Sequence, residues 1–276
     1  MVSINTNPSA LVALQNLNKT TRALEQTQDR VNTGLKVAGA KDNGAIFAIA
    51  QNLRADISGL TAVMNSVDRG IGVSTVALAA GESISDLLID LKAKAAAASD
   101  VGLDTASRAA LNNEFISLRD QINTIVGNAE FNGTNMIKNG GDAITALAND
   151  TGTATINVSP EDLSLTGTTL VISTTTTIGA SATTAASVLA EIDTSITNVN
   201  AALARLGTGV KALERHKIFT GKLSDTIEVG VGNLVDADLA KESARLQALQ
   251  VKQQLGVQAL SIANQSPQSI LSLFRG

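Results

Sequence analysis

The 276-residue chain contains no cysteine, no tryptophan and no tyrosine, and only one histidine and three prolines. Without cysteine there are no disulfides, no thiolate nucleophile and no thiolate-held metal. The lack does not fix the compartment, since cytosolic and secreted chains both manage without it. It does suit a protein that passes unfolded through a narrow channel, where thiols would crosslink. Aromatic residues make up 2% of a chain that is 44% hydrophobic. Large aromatics dominate compact cores and ligand pockets. A core of Ala, Leu, Ile and Val instead suits narrow helix-on-helix seams. Basic charge is also short: the formal net charge is -4. No basic patch is present to hold phosphates, and stacking bases want aromatics, so no nucleic acid is expected as a partner. No run of about 20 apolar residues is evident, so no membrane insertion is expected. The start, Met1-Val2-Ser3-Ile4-Asn5-Thr6-Asn7, has no basic stretch before an apolar block and does not read as a secretory signal peptide.

What the chain does have is apolar residues at 3-4 spacing, the pattern of helices packed along a seam. The clearest run is Leu53, Ile57, Leu60, Met64, Val67 and Ile71, continuing with gaps through Leu78, Ile84, Leu88 and Leu91. It is weakened by Gly59, Gly70, Gly72 and Gly81, which permit close helix contacts at a cost of roughly 1 kcal/mol each against alanine. The spacing predicts one helix from about Ala45 to Ala98, roughly 80 Å long at about 1.5 Å per residue, and therefore a rod. Val101-Gly102-Leu103-Asp104 separates it from a second run, Leu111, Phe115, Leu118, Ile122 and Ile125. A third runs from Leu189 to Leu213, blurs near His216 and resumes at Leu223, Ile227 and Val231. The three can lie side by side as a bundle. Residues 131 to 185 differ. Thr155-Ile156-Asn157-Val158 and Thr169-Leu170-Val171-Ile172 read as two short strands of a small, exposed β-hairpin region, and the stretch around them is rich in Thr, Ser, Gly and Ala.

The two ends are alike. Leu14, Leu17, Thr21, Leu24, Gln28, Val31 and Leu35 hold 3-4 spacing, with Thr21 and Gln28 as polar members of the seam. Leu239, Leu246, Leu249, Val257, Leu260 and Ala263 form a looser stripe, and Ile270, Leu271, Leu273 and Phe274 an apolar terminus. An apolar tail needs something to cover it. Spacing alone leaves open whether each stripe is filled by the same chain or by a neighbour.

No residue pattern points to catalysis. His216, flanked by Glu214, Arg215 and Lys217, has no second histidine with which to build a metal site, and reads as a solvated helical residue. No serine sits in a G-x-S-x-G turn. Lys41-Asp42-Asn43-Gly44 lacks the remainder of a calcium loop and reads as a turn. Gly230 and Gly232 do not complete a dinucleotide fingerprint. Asp86, Asp90, Lys92 and Lys94 read as the wet face of a helix. Neither enzymatic activity nor any cofactor is expected.

Specific segments do resemble a known family, the bacterial flagellins. Ile4-Asn5-Thr6-Asn7 with Ala10, Leu14 and Leu17-Asn18-Lys19 resembles the start of a flagellin. Arg30-Val31-Asn32-Thr33-Gly34-Leu35-Lys36-Val37 is similar to the family's R-L-S-S-G-L-R-I segment, and Ala40-Lys41-Asp42-Asn43-Gly44-Ala45 to its A-K-D-D-A-A turn, with Asn43 in place of Asp. Phe131-Asn132-Gly133 matches its F-N-G. Ala263-Asn264-Gln265, Pro267-Gln268 and Leu271-Ser272-Leu273 resemble A-N-Q-x-P-Q-x-x-L-S-L. The resemblance covers residues 1 to 140 and 190 to 276, and leaves the middle unmatched.

The resemblance implies a mainly α fold: a long-helix coiled-coil rod with paired N- and C-terminal helices and a small β-hairpin region in the middle. The expected division is 1–40 plus 236–276 as an inner coiled-coil domain, 41–140 plus 185–235 as a helical rod, and 141–184 as a short variable outer region. It also implies a subunit that polymerises into the extracellular filament of the flagellum, the propeller for motility. Its partners would be copies of itself, filament cap and hook-junction proteins, an export chaperone and the type III export apparatus. The polymerisation interface is expected at Leu14, Leu17, Leu24, Val31, Leu35, Leu239, Leu246, Leu249, Val257, Leu260, Ile270, Leu273 and Phe274. Some flagellins are recognised by an innate immune receptor through L-Q-R-V-R-E-L. The matching stretch here, Leu88-Ile89-Asp90-Leu91-Lys92-Ala93-Lys94, puts Asp90 at an Arg position and Lys94 at a Leu position, so weak recognition is expected. Several flagellins carry O-linked sugars, for which Ser173, Thr174, Thr175, Thr176, Thr177, Ser181, Thr183 and Thr184 are candidates. Alternatives are a hook–filament junction protein, which matches the A-N-Q-x-P-Q ending less well, a signalling coiled coil, which would lack the Thr-rich insert, and a helical-bundle enzyme, which would need clustered ligands.

Overall fold

The computed structural model describes residues 6–273, with side chains described as far as residue 265. Five helices and one two-stranded sheet follow in the order α1 (Pro8–Thr33), α2 (Gly44–Ala98), α3 (Thr105–Asn128), β1 (Ile144–Leu147), β2 (Thr155–Val158), α4 (Ala182–Val235) and α5 (Leu239–Leu273). The mainly α expectation holds.

Local chemistry sets the helix ends. Asn7 caps α1, its Oδ1 accepting from Ala10 N at 3.1 Å, and Pro8 occupies the first turn, where its missing N–H costs nothing. Gly34 closes the helix with φ 72°, a left-handed conformation that L side chains resist, and its N–H returns to Arg30 O at 2.9 Å. Asn43 starts α2 by accepting from Ile46 N, Asp104 starts α3 from Ser107 N, Ser181 starts α4 from Thr184 N, and Asp238 starts α5 from Lys241 N. Lys41-Asp42-Asn43 is thus a turn: Asp42 Oδ2 accepts from Ala38 N and Gly39 N. The apparent blur near His216 breaks nothing, because α4 runs through it as a single helix.

The chain forms two compact units, one from Asp56 to Asp225 and one from the segments up to Ala55 and from Thr226 onward. In the Asp56–Asp225 unit, α2 and α4 run antiparallel. Lys92 pairs with Asp193 and Asp68 with Lys217, and a Cβ on Gly81 would meet Leu203. Lys94 pairs with Glu114 on α3. Ile84, Leu88 and Leu91 from α2, Phe115 and Ile122 from α3, and Ile192, Val199, Leu206 and Leu213 from α4 share one buried core. By length and composition, one stretch of α2 is apolar enough to cross a membrane. The stretch is not an unbroken apolar run, since Glu82 and Asp86 interrupt the helix's apolar residues. Across that stretch 33% is buried, and along the same helix Ile84, Leu88 and Leu91 are fully buried.

The middle of the chain departs from the sequence reading in two ways. Thr155–Val158 is a strand, but its antiparallel partner is Ile144–Leu147, with Ile144 opposite Val158 and Leu147 opposite Thr155. Residues 169–172 are not a strand. Their backbone is engaged by α4 side chains, Ser195 Oγ accepting from Val171 N at 2.9 Å and Asn198 Nδ2 donating to Thr169 O at 3.0 Å. Nor is the region simply exposed: Met136, Ile137, Leu163, Leu165, Leu170, Ile172 and Ile178 are all buried.

In the other unit, α1 and α5 pack against each other antiparallel. Asn7 Nδ2 donates to Ala263 O at 2.7 Å, Leu17 faces Gly256, and Arg30 meets Glu242. Where the chain leaves α1 it also meets the α4–α5 connection. Lys36 N donates to Val235 O and Ala237 N to Gly34 O, forming an isolated bridge between Leu35 and Asp236.

Candidate assembly interface

The residues that α1 turns toward α5 fall at 3-4 spacing: Ala13, Leu17, Thr20, Leu24, Thr27 and Val31 are buried or half-buried. Leu17, Leu24 and Val31 serve as expected. The polar positions between them are not Thr21 and Gln28. A heptad's middle residue can be reached three or four steps on, and here the partner lies toward the three-step side, which buries Thr20 and Thr27, leaves Thr21 half-buried and Gln28 exposed. Thr20 tolerates this because its hydroxyl donates to Asn16 O within the helix. On α5 the matching row is Glu242, Leu246, Leu249, Gln253, Gly256, Leu260 and Ala263, again at 3-4 spacing.

Near one end of this seam Arg30 Nη1 donates to Glu242 Oε1 at 3.2 Å, while Arg30 Nε and Glu242 Oε2 are buried without a hydrogen-bond partner. Glu242 also lies in the first turn of α5, where the helix dipole favours a carboxylate.

The nominated interface residues therefore divide. Leu17, Leu24, Val31, Leu246, Leu249 and Leu260 are occupied within the chain, and Leu35 is half-buried at the Leu35–Asp236 bridge. Leu14, Leu239 and Val257 face outward. The side chains of Ile270 and Leu273, and Phe274 entirely, lie outside the described residues. Leu11, Val12, Val251, Leu255 and Ile262, all exposed large apolar side chains, were not among the residues expected at the interface. A signal for them existed: Val251, Leu255 and Ile262 share one face of α5 at helical spacing, on a different side from the seam.

Among the glycan candidates, Thr174, Thr175, Thr177 and Thr183 are exposed. Ser181 caps α4, and Thr176 Oγ1 accepts from Ser173 N. His216 is half-buried rather than solvated, with Nε2 2.9 Å from Ala148 O at the end of β1, so a proton on Nε2 ties the hairpin to α4. No group of three or more His, Asp or Glu able to hold a metal occurs among the described residues. A cleft of about 440 Å3 beside the Phe131-Asn132-Gly133 turn is lined by Arg69, Ser66 and Asp142. Lys138 donates to the Asp142 carboxylate there and holds its pKa below the ordinary value.

Residues 4–141 match the model of the bacterial flagellin N-terminal helical region and residues 189–274 that of the C-terminal helical region. The chain belongs to the bacterial flagellins. This flagellin is 52% identical over 273 residues to Flagellin FljK of Caulobacter vibrioides, covering 99% of this chain and 98% of that one. It is 40% identical to a flagellin of Brucella melitensis, with both chains covered in full. Two solved structures share the fold. The crystal structure of Bacillus cereus flagellin aligns with a TM-score of 0.50 at 24% identity over 56% of this chain and 87% of that one. A putative flagellar hook-associated protein from Vibrio parahaemolyticus aligns with a TM-score of 0.60 at 13% identity over 71% and 100%. Flagellins are structural proteins, not enzymes, and this flagellin is accordingly a structural subunit of the flagellar filament. The likeness to the hook-associated protein is one of fold alone and does not favour the junction alternative.

Proposed function

We propose that this flagellin polymerises through its terminal helices, with residues 1–40 and 236–276 as the inner coiled-coil wall of the filament. Residues 41–140 and 185–235 form the helical rod domain, and 141–184 the short variable outer region. The observation that carries this is the apolar surface left over after α1 and α5 have packed together. Leu11, Val12 and Leu14 on α1, and Val251, Leu255, Val257 and Ile262 on α5, stay exposed. Two helices bury one stripe each, and a second stripe needs further helices. Neighbouring copies supply them, and head-to-tail contacts that do not close make a filament.

Export follows the same logic. A chain with no thiols and with helices that gain their last partners outside travels unfolded through the type III apparatus, held by an export chaperone. It adds at the tip beneath cap proteins, on a base of hook-junction proteins. Sugars fall on Thr174, Thr175, Thr177 or Thr183, whose side chains reach solvent; an intact mass equal to the bare chain from native filaments excludes them. The innate receptor binds weakly, because Asp90 is exposed and Lys92 is paired with Asp193; full potency in a receptor reporter assay overturns this.

The central test is seeded assembly. Monomer added to filament fragments should elongate them under the electron microscope. A chain lacking residues 236–276 should not, while keeping the helicity of the Asp56–Asp225 unit. Filaments from the truncated chain would remove the role given to the terminal helices.

A further inference from the structure

Two faces of the Asp56–Asp225 unit carry charge that the described chain leaves unpaired. On α2, Glu82, Asp86, Ile89 and Asp90 stand exposed at i, i+4, i+7 and i+8, opposite buried Ile84, Leu88 and Leu91. On α4, Lys211, Arg215, Ile218 and Phe219 repeat that spacing with the opposite charge, opposite buried Leu206 and Leu213. None of these five charged side chains joins an ion pair or hydrogen bond among the described residues, whereas Lys92, Lys94 and Lys217 close by are paired within the chain. The apolar members are well exposed, Ile89 at 55%, Ile218 at 59% and Phe219 at 58%.

The two faces cannot meet within one chain. Gly70 on α2 lies level with Leu213 on α4, so Arg215 sits near the level of Arg69, some 17 residues from Asp86. At about 1.5 Å per residue the faces are roughly 25 Å apart along the helices. A complementary pair of faces offset in this way can be matched between copies, and such a head-to-tail contact propagates into a filament where its rotation does not close a ring.

We propose that the acidic face of α2 in one copy docks on the basic face of α4 in a second copy, Asp86 against Arg215 and Asp90 against Lys211. This rests on the filament reading for its setting, in which copies share one polarity. Since α2 and α4 are antiparallel within the chain, such copies present them to each other antiparallel, and the four-residue steps 86 to 90 and 215 to 211 then coincide. Ile89 lies along the aliphatic stems of Lys211 and Arg215, while Ile218 and Phe219 cover Ala79 and the stem of Glu82. The charges set register and orientation, and the apolar residues exclude water around them.

The test compares the wild type with D86K/D90K, K211E/R215E and the fourfold variant carrying both. All these side chains are exposed, so circular dichroism should match the wild type throughout. Each double reversal should raise the critical concentration for seeded assembly roughly tenfold or more, and the fourfold variant should recover it. Cross-linking gives a second reading that does not require filaments. The chain has no cysteine of its own, so a mixture of S83C and I218C under mild oxidation should give dimers that neither variant gives alone. Filaments that form normally from both double reversals, or a fourfold variant that stays defective, overturn the pairing and leave the filament reading standing. If the wild type does not elongate seeds, the filament reading fails. The mixed-variant dimer then keeps the pairing, and its absence overturns that too.

Discussion

At the scale of single residues, capping side chains decide where helices begin. Asp104 is fully at the surface, yet its carboxylate accepts from Ser107 N at 2.8 Å and from Ser107 Oγ at 2.9 Å. These bonds, the backbone one foremost, favour the ionised form and hold its pKa below the ordinary 3.8. Because the folded pKa is depressed, the stabilisation is present above the unfolded carboxylate pKa and is lost as pH falls through the folded one. A carboxyl-resonance titration should therefore place Asp104 below a peptide reference. The start of α3 should fray in that acid range in the wild type, whereas Asp104→Asn should keep its cap with no such pH dependence. An unshifted titration would mean that the cap does not form in solution. Asp104 was visible in the sequence as part of a helix break, though its role as the cap was not. The hydrogen bond of His216 was invisible, because Ala148 is 68 residues away.

At the scale of elements, the small sheet is shaped by what it rests on. A Cβ on Gly209 of α4 would lie 2.6 and 3.1 Å from the two methyls of Val158, and β-branched valine has little rotamer freedom to yield. Gly209→Ala should therefore destabilise the unpolymerised protein by about 1–3 kcal/mol, as overpacking does. Differential scanning calorimetry should show a lower Tm, and a Tm equal to the wild type's would mean the hairpin lifts off α4 freely. The same scale shows why one strand was read correctly and one was not. Thr155–Val158 and residues 169–172 are equally β-branched, but only the first finds a backbone partner. The second spends its N–H and C=O on Ser195 and Asn198. Propensity reports which backbone would suit a sheet, and the neighbours decide whether a sheet is there.

At the scale of the whole molecule, the two units differ in how much apolar surface they bury. The Asp56–Asp225 unit holds a core from three helices and the middle segment. In the other unit, α1 buries only Thr20, Leu24 and Thr27, and large apolar side chains on α5 remain exposed. Local opening follows low burial. Limited proteolysis of the unpolymerised protein should therefore cut first outside residues 56–225, leaving a resistant fragment near those bounds by mass spectrometry. Early cuts inside α2 or α4 between those bounds would contradict the core described here. In assembled filaments the same terminal sites should be protected.

Periodicity by itself determined the helices and their breaks, and the end motifs the family, because 3-4 spacing and short motifs are local properties of the chain; the pairing of the termini followed only from what the family resemblance implies. Only the tertiary structure decided which apolar residues are satisfied inside. A heptad seam leaves its middle position open between Thr20 and Thr21, and the side on which α5 lies closes it. The tertiary structure also placed the acidic face of α2 and the basic face of α4 too far apart to meet in one chain. Sequence alone reads the α2 charges as an ordinary wet surface and singles out no face of α4, since spacing along a helix says nothing about what stands level with it on the next.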